Sequence, residues 1–218
     1  KIIKKKWLKM HVNQNNESFF LEELAQHTDD PKIVGEKLIQ FCEHIKKANR
    51  IYNLTSITNI NDMLIKHILD SLSIKEFLKG RDILDIGSGA GLPGIPLAIT
   101  TPRKFFLLID SNNKKITFLN HVKISLDIEN VNLLHKRVED LSHDSVFDTV
   151  ICRSFASLRK IFANAEKHLK KNGIVVAMKG KYPGQELKEL DKDVEHKTHK
   201  LNVPGLGAER HAIIMYKK

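Results

Sequence analysis

The stretch Arg81-Asp-Ile-Leu-Asp-Ile-Gly-Ser-Gly-Ala-Gly-Leu-Pro-Gly-Ile-Pro-Leu-Ala-Ile99 decides how the rest of the chain is read. An apolar run over 83–86 meets Gly87, Gly89, Gly91 and Gly94, and the chain turns apolar again beyond Pro96. A buried strand, a tight turn and a helix opening at a proline give that order. Proline has no N–H to lose in a first helical turn. Glycine lets the backbone take positive φ and come close to a ligand. The turn is therefore expected to hold a nucleotide-like molecule at the mouth of an α/β sheet.

Downstream, apolar runs at 105–109, 131–135, 147–152 and 174–178 read as further strands. Amphipathic helices fit 95–100, 114–126 and 158–169 between them. This alternation predicts parallel βαβ units and a doubly wound sheet. Residues 181–200 are strongly charged, 203–207 read as a loop, and 212–216 as a last strand at the sheet's far edge. Upstream, 17–79 read as helices. Asp30-Pro31 is a cap followed by a first-turn proline, and Val34, Leu38, Phe41, Cys42 and Ile45 recur at helical spacing. A second helix fits 62–78, with Leu64, Ile65, Ile68, Leu69 and Leu72 on its apolar face. The chain thus divides into a helical region over 1–79, opening on a lysine-rich arm, and a ligand-binding α/β domain over 80–218. The helices are expected to pack on the sheet.

The 218 residues carry a formal charge of +10, which suits a polyanionic partner. No apolar run approaches membrane-spanning length, so a cytoplasmic monomer without membrane contact is expected. Two cysteines, Cys42 and Cys152, are too few for a disulfide framework or a structural zinc site and read as reduced core thiols; no metal is expected.

The class of ligand follows from Asp85 and Leu92. A dinucleotide fingerprint places glycine where Leu92 stands. Asp85, two residues before the first glycine, would repel a pyrophosphate but not a cation. S-adenosylmethionine, with its sulfonium and amino-acid group, matches better, and Gly87 and Gly89 would let it approach the backbone. Asp110 ends the second strand, where doubly wound folds bind ribose hydroxyls. Val138-Glu139 reads either as an adenine contact or, for Glu139, as a solvated surface acid. Lys114, Arg137, Arg153 and Lys179 follow four different strands and would give the mouth a positive rim suited to phosphates. His67 and Asp70 sit one helical turn apart and read as a helix-surface pair. No residue stands out as a catalytic base or nucleophile, so orientation and electrostatics are expected to carry methyl transfer to a ring nitrogen. The rival readings are a non-catalytic RNA-binding or ribosome assembly factor on a methyltransferase fold and an NAD-dependent oxidoreductase.

Several stretches resemble one family, the bacterial 16S ribosomal RNA small-subunit methyltransferase G, also called glucose-inhibited division protein B. They are Asn53-Leu-Thr-Ser-Ile-Thr, His67-Ile-Leu-Asp-Ser-Leu72, Asp85-Ile-Gly-Ser-Gly-Ala-Gly-Leu-Pro-Gly-Ile-Pro-Leu97, Arg153-Ser-Phe-Ala-Ser-Leu158, Met178-Lys-Gly-Lys181 and Glu209-Arg-His211, in that order. The resemblance implies a class I S-adenosylmethionine-dependent methyltransferase with a Rossmann-like, seven-stranded sheet, its last strand antiparallel, and a helical N-terminal extension. It implies methylation of N7 of guanine 527 in 16S rRNA, presented free or in the small ribosomal subunit. Carried over by motif, cofactor contacts fall on Gly87, Leu92, Val138, Glu139 and Arg153. Asp85, Gly89 and Asp110 are added from the residues themselves, as are Lys114, Arg137 and Lys179 as RNA contacts.

Overall fold

The structure, a computed structural model, describes residues 14–153 and 156–218. The lysine-rich arm and Ser154-Phe155 of the Arg153 motif lie outside the described residues.

Seven strands form one sheet in the order β3-β2-β1-β4-β5-β7-β6. They are β1 (Asp82–Ile86), β2 (Phe105–Asp110), β3 (Val131–His135), β4 (Phe147–Arg153), β5 (Leu169–Lys179), β6 (Val194–Leu201) and β7 (Arg210–Lys217). The first five run parallel, and β7 runs antiparallel to both of its neighbours. The β1, β2, β4 and β5 runs are apolar because both sheet faces are covered. Ile83, Phe106, Ile151 and Val176 enter one core, whereas Leu84, Ile109, Val150 and Val175 enter the other.

Two strand expectations are corrected. The last strand does not close the sheet edge but lies between β5 and β6. The edge is β6, which falls in the charged stretch at 181–200. Its Glu195, His196 and Lys197 are exposed. Charged side chains are how an edge strand avoids pairing with other molecules, so the polarity that hid this strand suits its position. The expected helix over 158–169 is also shorter. It is α6 (Leu158–Ala165), followed by a 3-10 turn at Glu166–His168, and β5 already begins at Leu169.

Among the described residues five helices cover one face: α1 (Gln14–Leu24), α2 (Pro31–Tyr52), α3 (residues 60–72), α4 (Gly94–Thr100) and α5 (Asn113–Ser125). The other face carries α6 and α7 (Gly184–Lys188). Asp30 caps α2, its Oδ1 accepting from the Ile33 N–H at 3.1 Å. The face of α2 that is buried contains Leu38, Phe41, Cys42 and Ile45, as its spacing predicts. These residues share one core with β1 and β2, so the helical region and the sheet pack as expected. The middle of α3, Leu64–Leu69, is a π-helix, and the helix stops at Leu72 rather than reaching 78. A π-helical turn is a common sign of a functional site. Among the described residues no helix is long and apolar enough to cross a membrane.

Candidate functional site

The glycine turn leaves β1 at Ile86 and is pinned to the end of β2. The N–H groups of Gly87 and Ser88 both donate to the Ile109 carbonyl, at 2.9 and 3.0 Å. Gly87, Gly89 and Gly91 take φ of +69°, +57° and +89°, which side-chain-bearing residues rarely adopt. Gly94 is needed for space instead. A Cβ there would lie 2.5 Å from Asp85 Oδ2, which accepts the Gly94 N–H at 2.9 Å.

Asp85 is fully buried beneath this turn. Burial pushes its carboxyl up to about 7, against the pull of the Gly94 N–H and Arg153; Asp110 adds to the rise. Asp85 Oδ1 and Ser88 Oγ are buried and have no hydrogen-bond partner among the described residues. Unpaired buried polar atoms are costly, and these two, one on β1 and one in the turn, suit a ligand that would complete the bonding.

A cavity of 360 Å³ opens above the turn. Gly87, Asp110, Arg137, Val138, Glu139 and Arg153 line it, so six of the expected residues converge there. Asp110 Oδ2 accepts from the Gly89 N–H at 2.9 Å and Oδ1 from the Asn112 N–H at 2.8 Å. The acid at the end of β2 thus shapes the turn as well as facing the cavity. Val138 and Glu139 stand on a 3-10 turn, Val138–Asp140, after β3. His168 braces that turn from behind, its Nδ1 3.1 Å from the Ser145 carbonyl and its Nε2 3.3 Å from that of Val138. Leu92 is buried in the core and does not line the cavity, and Lys114 lines neither this cavity nor the next. Lys115, one position further round α5, faces the cavity with its Nζ 3.6 Å from Asp110 Oδ2.

A second cavity of 550 Å³ adjoins the first, and Arg153 lines both. Thr55, His67, Asp70, Lys179 and Arg210 are among its other walls. Here the expected surface pair of His67 and Asp70 is corrected: both are buried, and their side chains bond other residues, the link between the two being the Asp70 N–H to the His67 carbonyl. Asp70 Oδ2 accepts from Arg153 Nη1 at 3.0 Å, and its Oδ1 from Arg210 Nε at 2.8 Å. Burial is the largest influence on Asp70 and raises its pKa, while the two guanidiniums pull it down. His67 Nε2 lies 2.9 Å from Thr55 Oγ1, and its Nδ1 3.3 Å from Arg153 Nη2. Burial and the neighbouring Arg153 lower the His67 pKa to about 4, so the ring is neutral at pH 7. Nδ1 also lies 3.1 Å from the Lys66 carbonyl, so it donates there in one tautomer and accepts from Arg153 in the other, when Nε2 carries the proton. Lys179 is held by Glu186, at 2.8 and 3.0 Å, and donates to the Ala156 carbonyl at 2.9 Å. Its charge is therefore partly spent inside the protein. Arg210 had no assigned role in the sequence although it lies in the Glu209-Arg-His211 motif; its partner Asp70 is 140 positions away. Cys152 is a buried thiol whose pKa burial raises to about 12, as a core residue should be. Among the described residues no group of three or more His, Cys, Asp or Glu is placed to hold a metal.

The first cavity fits S-adenosylmethionine on these grounds. It offers an acid at the ribose position and close backbone approach at Gly87; Asp85 and Gly89 do not line it, and Asp85 lies buried beneath the turn with one carboxylate oxygen unpartnered. The strand order, the reversed seventh strand and this turn together define the class I S-adenosylmethionine-dependent methyltransferase fold. A glycopeptide N-methyltransferase, MtfA, superposes with a TM-score of 0.58 at 11% identity, over 69% of this chain and 94% of the other. A ribosomal protein L11 methylase from Lactobacillus delbrueckii subsp. bulgaricus gives 0.53 at 18%, over 69% and 77%. The chain belongs to the rRNA small subunit methyltransferase G family, whose pattern it matches over residues 35–214. The family member named ribosomal RNA small subunit methyltransferase G from Nitrosococcus oceani is 46% identical over 177 residues, 81% of this chain and 83% of the relative. That from Coxiella burnetii (strain Dugway 5J108-111) is 43% identical over 197 residues, covering 88% and 96%.

Proposed function

We propose that this chain transfers a methyl group from S-adenosylmethionine to 16S rRNA, at N7 of guanine 527. Family membership supports rRNA methylation, and the particular atom rests on the motif resemblance. The observation that carries the reading is Arg153 standing between two cavities, one matched to the cofactor and one open to a nucleotide.

In the first cavity Asp110 would receive the ribose, and Val138 and Glu139 the adenine. Asp85 would receive the cationic amino-acid end beneath the glycine turn. When bound, the sulfonium supplies an electrophilic methyl carbon and leaves as a neutral thioether. Guanine N7 has its own lone pair, so no proton need be removed before the N–C bond forms. That agrees with a second cavity whose His67 is neutral and hydrogen-bonded and whose Asp70 is occupied by two arginines. Arg153 and Arg210 would orient the nucleotide, with Arg210, Lys179 and Arg137 giving the mouth its positive charge. Rate would come from holding N7 in line with the methyl carbon.

Cofactor affinity should depend on pH through Asp85. Its folded-state pKa of about 7 leaves it ionised at pH 7.5 and protonated at pH 5.5. Each pH unit below 7 then weakens S-adenosylmethionine binding by up to about tenfold, because the bound cation needs the carboxylate. Calorimetric titration at pH 5.5, 6.5 and 7.5 checks this, and a flat profile would remove Asp85 from the binding site.

The reading as a whole is tested with labelled S-adenosylmethionine and small ribosomal subunits from cells lacking the modification. One methyl group per particle is expected, at a guanine cleaved by borohydride and aniline at position 527. Label at another base overturns the assignment of the target. Binding to the particle with no transfer favours the assembly-factor reading.

A further inference from the structure

Two aromatic side chains are largely exposed among the described residues. Phe105 opens β2, at the end of the sheet remote from the cavities, and the Arg81 guanidinium covers its ring at 4.4 Å from the centroid. Tyr182 is 59% exposed and, though it does not itself line the second cavity, stands two residues from Gly180 of its wall. It follows Lys179, Gly180 and Lys181 in the chain, and Lys179 and Gly180 line that cavity.

The ring is nonetheless held in place. His211 meets it edge-on, with centroids 5.8 Å apart. His211 is in turn fixed, its Nδ1 2.7 Å from the Gly180 carbonyl oxygen, and it adjoins Arg210 of the cavity wall. On another side the backbone of Gly184 comes close, since a Cβ there would lie 3.2 Å from Tyr182 Cε1. A ring oriented by its neighbours and left in solvent loses conformational freedom without gaining burial. Its function is then to be sought outside the protein. Tyrosine, with two side-chain torsions, is well suited to rigid contact of this kind.

We propose that Tyr182 is a stacking platform for an unpaired rRNA base flanking the methylated guanine. The inference rests on the reading of the second cavity as the nucleotide site. Every base presents a π-face to an aromatic ring, and the exposed Lys181 next to it supplies positive charge for a phosphate backbone. The ring would fix the register of the strand while the target base enters the cavity.

Methyl transfer to unmodified small subunits, measured for wild type and for Tyr182→Phe, Tyr182→Leu and Tyr182→Ala, tests this. The side chain is exposed, so all three variants are expected to fold. Tyr182→Ala and Tyr182→Leu should each raise KM for the particle about tenfold, the range set by base–aromatic stacking. Tyr182→Phe should stay within about twofold of wild type, and cofactor affinity should be unchanged throughout. Wild-type KM in Tyr182→Ala overturns the proposal. So does wild-type KM in Tyr182→Leu, which would mark an apolar contact with a ribosomal protein, or a loss in Tyr182→Phe equal to that in Tyr182→Ala, which would assign the effect to the hydroxyl. If wild type itself transfers no methyl group, the reading of the cavity fails and takes this inference with it.

Discussion

Asp85→Asn yields a cofactor-free protein that is more stable at pH 8 and binds S-adenosylmethionine poorly. The folded-state pKa of Asp85 is raised, so the fold favours its protonated form. That preference is fully present below the ordinary value of 3.8 and is lost as pH rises through about 7. Above pH 7 the fold carries a buried anion. The gap from 3.8 to about 7, at about 1.4 kcal/mol per tenfold in proton affinity, amounts to about 4 kcal/mol. Asparagine keeps an oxygen for the Gly94 N–H and removes the charge, but puts an unpaired amide where Oδ1 stood. With about 1–3 kcal/mol returned to that orphaned donor, the net gain is about 2 kcal/mol. For a chain of this length that raises the melting temperature by about 5 °C at pH 8, and by much less at pH 5. The same change removes a charge-assisted contact to the cofactor and should weaken its binding about 10- to 100-fold. Thermal melts at the two pH values and one titration separate the effects. A variant less stable at pH 8, or one that binds normally, would refute this role for Asp85.

Asp70→Ala should damage the protein from the opposite direction. Asp70 is the shared partner of Arg153, at the end of β4, and Arg210, at the start of β7, and its side chain is 3% exposed. Removing it leaves two guanidiniums side by side in a half-dry setting. Breaking a buried ion pair from one side costs about 3–5 kcal/mol. Because both arginines keep some contact with solvent, at 20% and 25% exposure, the lower end, about 3 kcal/mol, is expected. The functional loss should be larger than the stability loss suggests. Arg153 would lose the contact that fixes it between the cavities, and a misplacement of about 1 Å lowers turnover about 100-fold. Denaturant unfolding and single-turnover transfer measure the two terms. Cofactor affinity should change by less than about tenfold, since the ribose and adenine contacts are untouched. Full turnover in a folded Asp70→Ala protein would show that the network is structural only.

These two acids illustrate what was legible in the sequence. The place of Asp85 could be read because its signal is local: an acid in an apolar run, two residues before glycines that must turn. The Asp30 cap and the apolar stripe of α2 were legible for the same reason, as was the convergence of Gly87, Asp110, Val138, Glu139 and Arg153, each at the end of a strand or shortly after it. Asp70 could not be read in this way. Its partners come from strands 83 and 140 positions downstream, and nothing near it in the chain foretells them. The helix pattern made it a surface residue, whereas the π-helical turn and the neighbouring strands bury it. Strand β6 was missed because charge on an edge strand looks like a solvated loop. The place of β7 was missed because pairing order is set by contacts distant in sequence. Lys114 and Lys115 differ only in helical phase, which depends on where Asn112 caps α5, its Oδ1 accepting the Lys114 N–H at 2.9 Å.

Calorimetric titration of the wild-type protein with S-adenosylmethionine and with NAD, beside Gly87→Val, measures what the glycine turn holds. One S-adenosylmethionine is expected per chain, competed by S-adenosylhomocysteine, with no heat from NAD. In Gly87→Val, where a branched side chain would have to sit at φ +69°, binding should be lost. Binding of NAD in place of S-adenosylmethionine, or S-adenosylmethionine affinity that survives Gly87→Val, would contradict the assignment of this turn.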